Sequence, residues 1–211
     1  MKIPLASRRP LTVITGASSG IGAELAREYA RRGHDLLISA RRASELEALA
    51  ASLRTAHGVG VDIVLADLGS DAGVDLLADR VLADARPIAV LANNAGFGRY
   101  GDFIDCDLSD TRRMMRLNMD APVALTRRLL PRLREARGQV LNLASTAAFQ
   151  PGPTMAVYYA TKAFVLSWSE ALAEELAGTG VTVTALCPGP TASGFQDRAA
   201  MRDSALAWRR S

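Results

Sequence analysis

Two residues of the stretch VYYATKA (157–163), Tyr158 and Lys162, are of the types and at the spacing needed to move a proton. A free phenol, with a pKa of about 10, is a poor base at neutral pH. A neighbouring ammonium favours the phenolate, and residues four apart on a helix share one face. Lys162 stands out because Lys2 is the only other lysine in the chain, all remaining strong cations being arginine. A compact ammonium offers a point charge and three donors that can also reach a ribose hydroxyl, which the planar guanidinium fork does less well. Tyr159, three before the lysine, is also a neighbour, so spacing alone leaves both tyrosines open.

A second chemical signal lies near the start. TGASSGIG carries Gly16, Gly20 and Gly22 around Ser18, Ser19 and Ile21, between a strand-like run (LTVITG, 11–16) and a helix-like one (IGAELAREYARRG, 21–33). Glycines permit a tight turn and close ligand approach. A helix N-terminus offers unpaired N–H groups to a phosphate, and the two serines add hydroxyls. The spacing is G-x-x-x-G-x-G, not the G-x-G-x-x-G dinucleotide fingerprint, so the turn taken alone also fits a plain strand-to-helix connection. The next strand-like run ends in Ala40-Arg41-Arg42, where a site for NAD usually places a carboxylate. Arginine pairs with a 2′-phosphate through charge-assisted bonds, which points to NADP(H) in preference to NAD(H).

These signals require a scaffold. Apolar, β-branched runs recur at 11–16, 35–41, 61–68, 88–96, 139–145 and 181–189, separated by helix-like segments at 21–33, 44–58, 71–84, 109–135 and 157–178. This alternation predicts an α/β fold: a Rossmann-like, doubly wound parallel sheet of six strands in a single domain over residues 1–211. In such sheets ligands bind beyond the carboxyl ends of the strands, where every motif above falls.

Bulk properties exclude other classes. The chain has 211 residues, 49% of them hydrophobic and 22% charged, with a net charge of +3. Arginines occur mostly as scattered pairs, without the clustering of a nucleic-acid footprint. Cys106 and Cys187 are too few for a disulfide framework, His34 and His57 lack a second ligand at metal-binding spacing, and no metal is expected. No leader-like or membrane-spanning apolar run is present, so a cytoplasmic protein with no membrane association is expected.

TGASSGIG, NNAG (93–96), Asn118, Ser145, the Tyr158–Lys162 spacing and PGP (188–190) occur in the order seen in the short-chain dehydrogenase/reductase family, which the chain resembles from about residue 10 to 195. The resemblance selects Tyr158 as the general acid/base, four before the lysine, and leaves Tyr159 to pack or line the pocket. It implies that Lys162 holds the nicotinamide ribose, that Ser145 polarises the substrate oxygen and that Asn118 helps hold a proton-relaying water. It further places Asp67 and Leu68 at the adenine region. Asn93, Ala95 and Gly96 would border the cofactor, with Pro188, Gly189 and Thr191 against the nicotinamide.

The pattern departs from the family after PGP. Members usually continue for tens of residues, with a substrate-covering segment and a seventh strand; here TASGFQDRAAMRDSALAWRRS follows. That segment has one helix-like apolar pattern (Phe195, Met201, Leu206, Trp208) and no seventh strand, which leaves the sixth as an expected open edge. Two readings result: an active oxidoreductase for a carbonyl/alcohol pair, or a cofactor-binding homologue with little catalysis. FGRYGDF and FQPGPTM suggest a neutral or lipophilic substrate. The resemblance implies a homodimer or homotetramer through the long helices.

Overall fold

The computed structural model describes residues 9–190. Its strands are β1 (Leu11–Thr15), β2 (Asp35–Ala40), β3 (Val61–Leu65), β4 (Ile88–Asn93), β5 (Gln139–Leu143) and β6 (Thr182–Leu186). They form one six-stranded sheet in the order β3-β2-β1-β4-β5-β6, parallel throughout. The order reverses between β1 and β4, and this switch point opens a crevice above the carboxyl ends.

Helices α1 (Gly20–Arg31), α2 (Ala43–His57), α3 (Asp71–Leu82), α4 (Leu108–Met115), α5 (Ala121–Ala136) and α6 (Ala156–Glu175) connect the strands. Helices α1 and α2 pack Ala26, Leu46 and Leu53 onto Ile14, Leu36 and Ile38 of one sheet face. Helices α3 and α5 pack Leu77, Leu125 and Leu129 onto Val13, Leu37 and Leu91 of the other. Both faces of the central strands are thus covered, which is why LTVIT and DLLISA read as continuous apolar runs. Each fully buried Leu or Ile contributes about 1.5–3 kcal/mol, so these layers fix the strand ends that carry the chemistry.

The segment expected to be one helix over 109–135 is interrupted. A π-helical turn spans Arg116–Asp120 and holds Asn118. Asp107 starts α4 by accepting from the backbone N–H groups of Ser109 and Asp110. At the amino end of the sheet, Arg86 ties three segments together. It donates to Asp84 at 2.6 Å, to Asp35 at 3.2 Å and to Asp62, anchoring the starts of β2 and β3 and the approach to β4. Strand β6 exposes Thr182, Thr184 and Leu186, and among the described residues no strand pairs with its outer edge. Also among the described residues, no helix is long and apolar enough to cross a membrane.

Candidate active site

A cleft of about 420 Å³ runs along the carboxyl ends of the strands. At its centre the turn after β1 places Gly16, Ser18, Ser19, Gly20 and Ile21 on the wall. Gly16 adopts φ +68°, and a methyl group there would stand 2.8 Å from the Ala95 Cα. Gly22 is buried just behind the wall, where a Cβ would lie 2.5 Å from the Gly16 carbonyl oxygen. It allows α1 to pack close rather than touching the cleft.

The Asn pair is divided by strand geometry. The last residue of β4, Asn93, turns into the interior, so the cofactor-side position expected of it is corrected. Its amide donates to Thr126 Oγ1 at 3.0 Å and to Asn142 Oδ1 at 2.8 Å, and Asn142 donates to Ser169 Oγ at 2.9 Å. Asn94 takes the cleft side, donating to the carbonyls of Thr15 (2.8 Å) and Gly16 (3.2 Å), and so clamps the glycine turn. Thr15 Oγ1 accepts from the N–H groups of Asn94 and Ala95. The polar end of the β1 run was the available signal for Thr15.

At one end of the cleft, Ala40, Arg41 and Arg42 follow β2, and Asp67 and Leu68 follow β3. Arg42 does not simply extend into solvent. Its Nη2 donates to Ser18 Oγ at 3.0 Å and to Ser19 Oγ at 2.8 Å, while Nη1 pairs with Glu45 at 2.7 Å. An arginine and two hydroxyls thus converge beside a position that lacks a carboxylate. Arg41 is exposed at the rim.

At the other end, Ser145, Tyr158, Tyr159, Lys162, Pro188 and Gly189 line the wall. Ser145 follows β5 and hydrogen-bonds the phenol of Tyr158, while its oxygen also accepts from Ala147 N at 3.1 Å. It is both a helix cap and a site residue. Burial raises the pKa of Tyr158, and the Ser145 bond opposes that rise. The net direction is opposite to what the ammonium alone would give. Lys162 is 6% exposed, donates to the Leu143 carbonyl at 2.6 Å and lies 5.8 Å from the Tyr158 ring centre. Burial pulls its pKa down to about 8, with the Cys187 thiol acting the other way.

Asn118 lies behind the wall rather than on it. Its Oδ1 accepts from Phe97 N at 3.1 Å, and Nδ2 donates to Phe97 O (2.9 Å) and Thr161 Oγ1 (3.0 Å). Both amide hydrogens are used, so the side chain fixes the loop after β4 against α6. Gly96 makes this possible, because a Cβ there would stand 3.0 Å from Asn118 Oδ1. No residue type or spacing marks Phe97 or Thr161 as its partners. Tyr159 stands edge-on to Tyr158 at 6.1 Å and packs over Gly152, whose absent Cβ would fall 2.4 Å from the ring. Thr191 lies outside the described residues, as does the tail pattern from Phe195 to Trp208.

The chain belongs to the short chain dehydrogenase family, whose model matches residues 10–203. Among solved structures, a short-chain dehydrogenase from Sphingobium yanoikuyae in complex with NADPH is 41% identical, with a TM-score of 0.86 over 90% of this chain and 75% of that one. A short chain dehydrogenase/reductase from Burkholderia phymatum in complex with NAD is 30% identical, with a TM-score of 0.84 over 96% of this chain and 73% of that one. A very-long-chain 3-oxoacyl-CoA reductase of Kluyveromyces lactis is 35% identical over 179 residues, 81% of this chain and 52% of that protein. The chain therefore spans about half the length of such curated relatives.

Proposed function

We propose that the protein is an NADP(H)-dependent oxidoreductase that interconverts a carbonyl and an alcohol. The observation that carries this reading is the convergence in one cleft of a glycine-lined phosphate turn with a Ser145–Tyr158 hydrogen bond and a buried lysine. The residues present fit a dinucleotide: Gly16, Gly20 and Gly96 line the cleft with no side chains of their own, beside the Ser18 and Ser19 hydroxyls, which suits close approach of a ligand to the backbone. NADP(H) rather than NAD(H) is supported by Arg42 and the Ser18 and Ser19 hydroxyls, which offer donors to a 2′-phosphate. Solved relatives bind either form.

When bound, the dinucleotide supplies or accepts the hydride. The chain's own residues do the rest. Tyr158 Oη gives its proton to the carbonyl oxygen in reduction and takes it back from the alcohol in oxidation. Ser145 donates to the same oxygen and polarises it. Lys162 holds the ribose and, once charged groups gather beside it, favours the phenolate. Phe97, Met155 and Tyr159 pack around Tyr158 and supply apolar walls, which suits a neutral or lipophilic carbonyl compound. Phe164 is 40% exposed and stacks on Trp168 along α6, and Met115 is exposed on α4, which suits a homodimer or homotetramer through these helices.

The test is a fluorescence titration of the whole chain with NADPH and NADH, followed by turnover on a panel of aldehydes, ketones and alcohols. NADPH is expected to bind at least about tenfold more tightly, equivalent to ~1.4 kcal/mol. Tyr158→Phe should keep cofactor affinity and lose at least about a hundredfold in turnover. Normal turnover in that variant sinks the mechanism; NADPH binding without any turnover leaves a cofactor-binding homologue.

A further inference from the structure

Just ahead of α6, residues 152–155 form a tight turn whose sequence and backbone disagree. Met155 N donates to the Gly152 carbonyl at 3.1 Å and closes the turn, with Pro153 second and Thr154 third. Thr154 has φ +65°. A turn with proline second and a positive φ third ordinarily takes glycine or asparagine at that third position. For a β-branched residue the left-handed region is an outlier, kept only where the surroundings impose it. Arg137, the other such non-glycine residue among the described ones, follows α5, where helices commonly end in this conformation. Thr154 has no such setting.

The turn is tied to the loop after β4. The Thr154 carbonyl accepts from Gly101 N at 2.9 Å, and Gly101 itself has φ +151°. Both ends of the tie thus stand in conformations that favour glycine, but only one end is a glycine. The tied segments carry opposite parts of the cleft wall: Phe97 and Arg99 in the loop after β4, Met155 and Tyr159 beyond the turn. Phe97, Tyr100, Met155 and Tyr159 pack around Tyr158, so the tie sets how far apart these apolar walls stand. In an ordinary extended conformation Thr154 would turn its carbonyl away from Gly101 and release the loop. Resting on the oxidoreductase reading above, we propose that Thr154 is a specificity-determining residue: its strained backbone holds the tie weakly, so the walls part to admit bulky carbonyl compounds. A residue at ease in the left-handed region tightens the tie and narrows the substrate range. One barred from that region opens the walls.

The experiment compares the full chain with Thr154→Asn and Thr154→Pro. Asparagine tolerates the left-handed region, whereas proline is locked at φ about −65° and excluded from it. Two quantities are read: hydrogen exchange of the Gly101 amide by NMR, and NADPH-dependent kcat/KM for ketones of increasing bulk, from butanone to benzophenone. Thr154→Asn should slow Gly101 exchange by ~5- to 10-fold and lower kcat/KM for benzophenone relative to butanone by a similar factor. Thr154→Pro should leave the Gly101 amide unprotected and move the ratio the other way. Unchanged exchange in Thr154→Asn, or a substrate ratio that does not follow the exchange, overturns the proposal. Should Thr154→Pro not fold, the paired readouts of Thr154→Asn decide alone. A parent chain that reduces no ketone refutes the oxidoreductase reading and the size selection with it; that failure is separable, because turnover with an unmoved ratio refutes the size selection only.

Discussion

Replacing Lys162 with methionine separates what the site needs from what the fold prefers. The ammonium is buried, and its pKa is held at about 8 against an ordinary value of 10.5. At about 1.4 kcal/mol per pKa unit, keeping that charge inside at pH 7 costs roughly 3 kcal/mol. Removing the lysine also takes its donor from the Leu143 carbonyl, and a buried acceptor that loses its partner costs about 1–3 kcal/mol, which offsets most of the gain. Lys162→Met fills the same space without the charge, so it should be as stable as the parent or more so by ~1 kcal/mol, a rise of ~2–4 °C in Tm. Turnover should fall by about a hundredfold or more.

The pH dependence gives the decisive sign. A lysine whose folded pKa is depressed penalises the fold fully below about 8, and the penalty fades as pH rises from there toward 10.5. The parent chain should therefore gain stability relative to Lys162→Met across that window, as measured by urea unfolding at pH 7, 8, 9 and 10. A difference that stays flat with pH, or a methionine variant less stable by several kcal/mol at pH 7, refutes the assignment of a strained buried charge.

Two further outcomes follow from the geometry. For Asp84, burial pushes the pKa up, but the Arg86 hydrogen bonds and charge outweigh it and hold the carboxyl below 3.8. Its stabilisation is present above that range and is lost as pH falls through the depressed value, so Arg86→Met should cost about 2–3 kcal/mol at pH 7, with a shrinking difference from the parent below about pH 4; thermal unfolding at the two pH values checks this. Gly152→Ala drives a methyl group to within 2.4 Å of the Tyr159 ring, so it should cost about 1–3 kcal/mol and raise the KM for substrate, measured by unfolding and steady-state kinetics.

Much of the scaffold was legible because the central strands are buried on both faces and their helices end at glycines, as α2 does at Gly58 with φ +63°. The π-helical turn was not legible, because it accompanies the bonds of Asn118 to the Phe97 backbone behind the cleft wall, a tertiary contact with no periodic trace. Tyr158, Ser145 and the glycine turn could be located because their residue types and order are distinctive. The two asparagines could not be told apart, since which one faces inward depends on where β4 ends. The pairing of Arg113 with Asp67 stayed hidden for a related reason: on α4 the arginine reads as one of several exposed ones, and only the fold brings it against Asp67.

The clasp between Asn94 and the glycine turn also sets when the protein becomes competent. The donor and its acceptors are 78 and 79 residues apart, and β4 must return past β2 and β3 to lie beside β1. On a ribosome adding about 5–20 residues per second, the turn waits several seconds for the segment that closes it. The early βαβαβ half can condense first, but its phosphate cradle lacks an outer wall until β4 arrives. A nucleotide that then binds contacts both halves and favours only the assembled chain, adding stability with its concentration. A dinucleotide that fits the cleft would thus act on this chain as a late assembly factor.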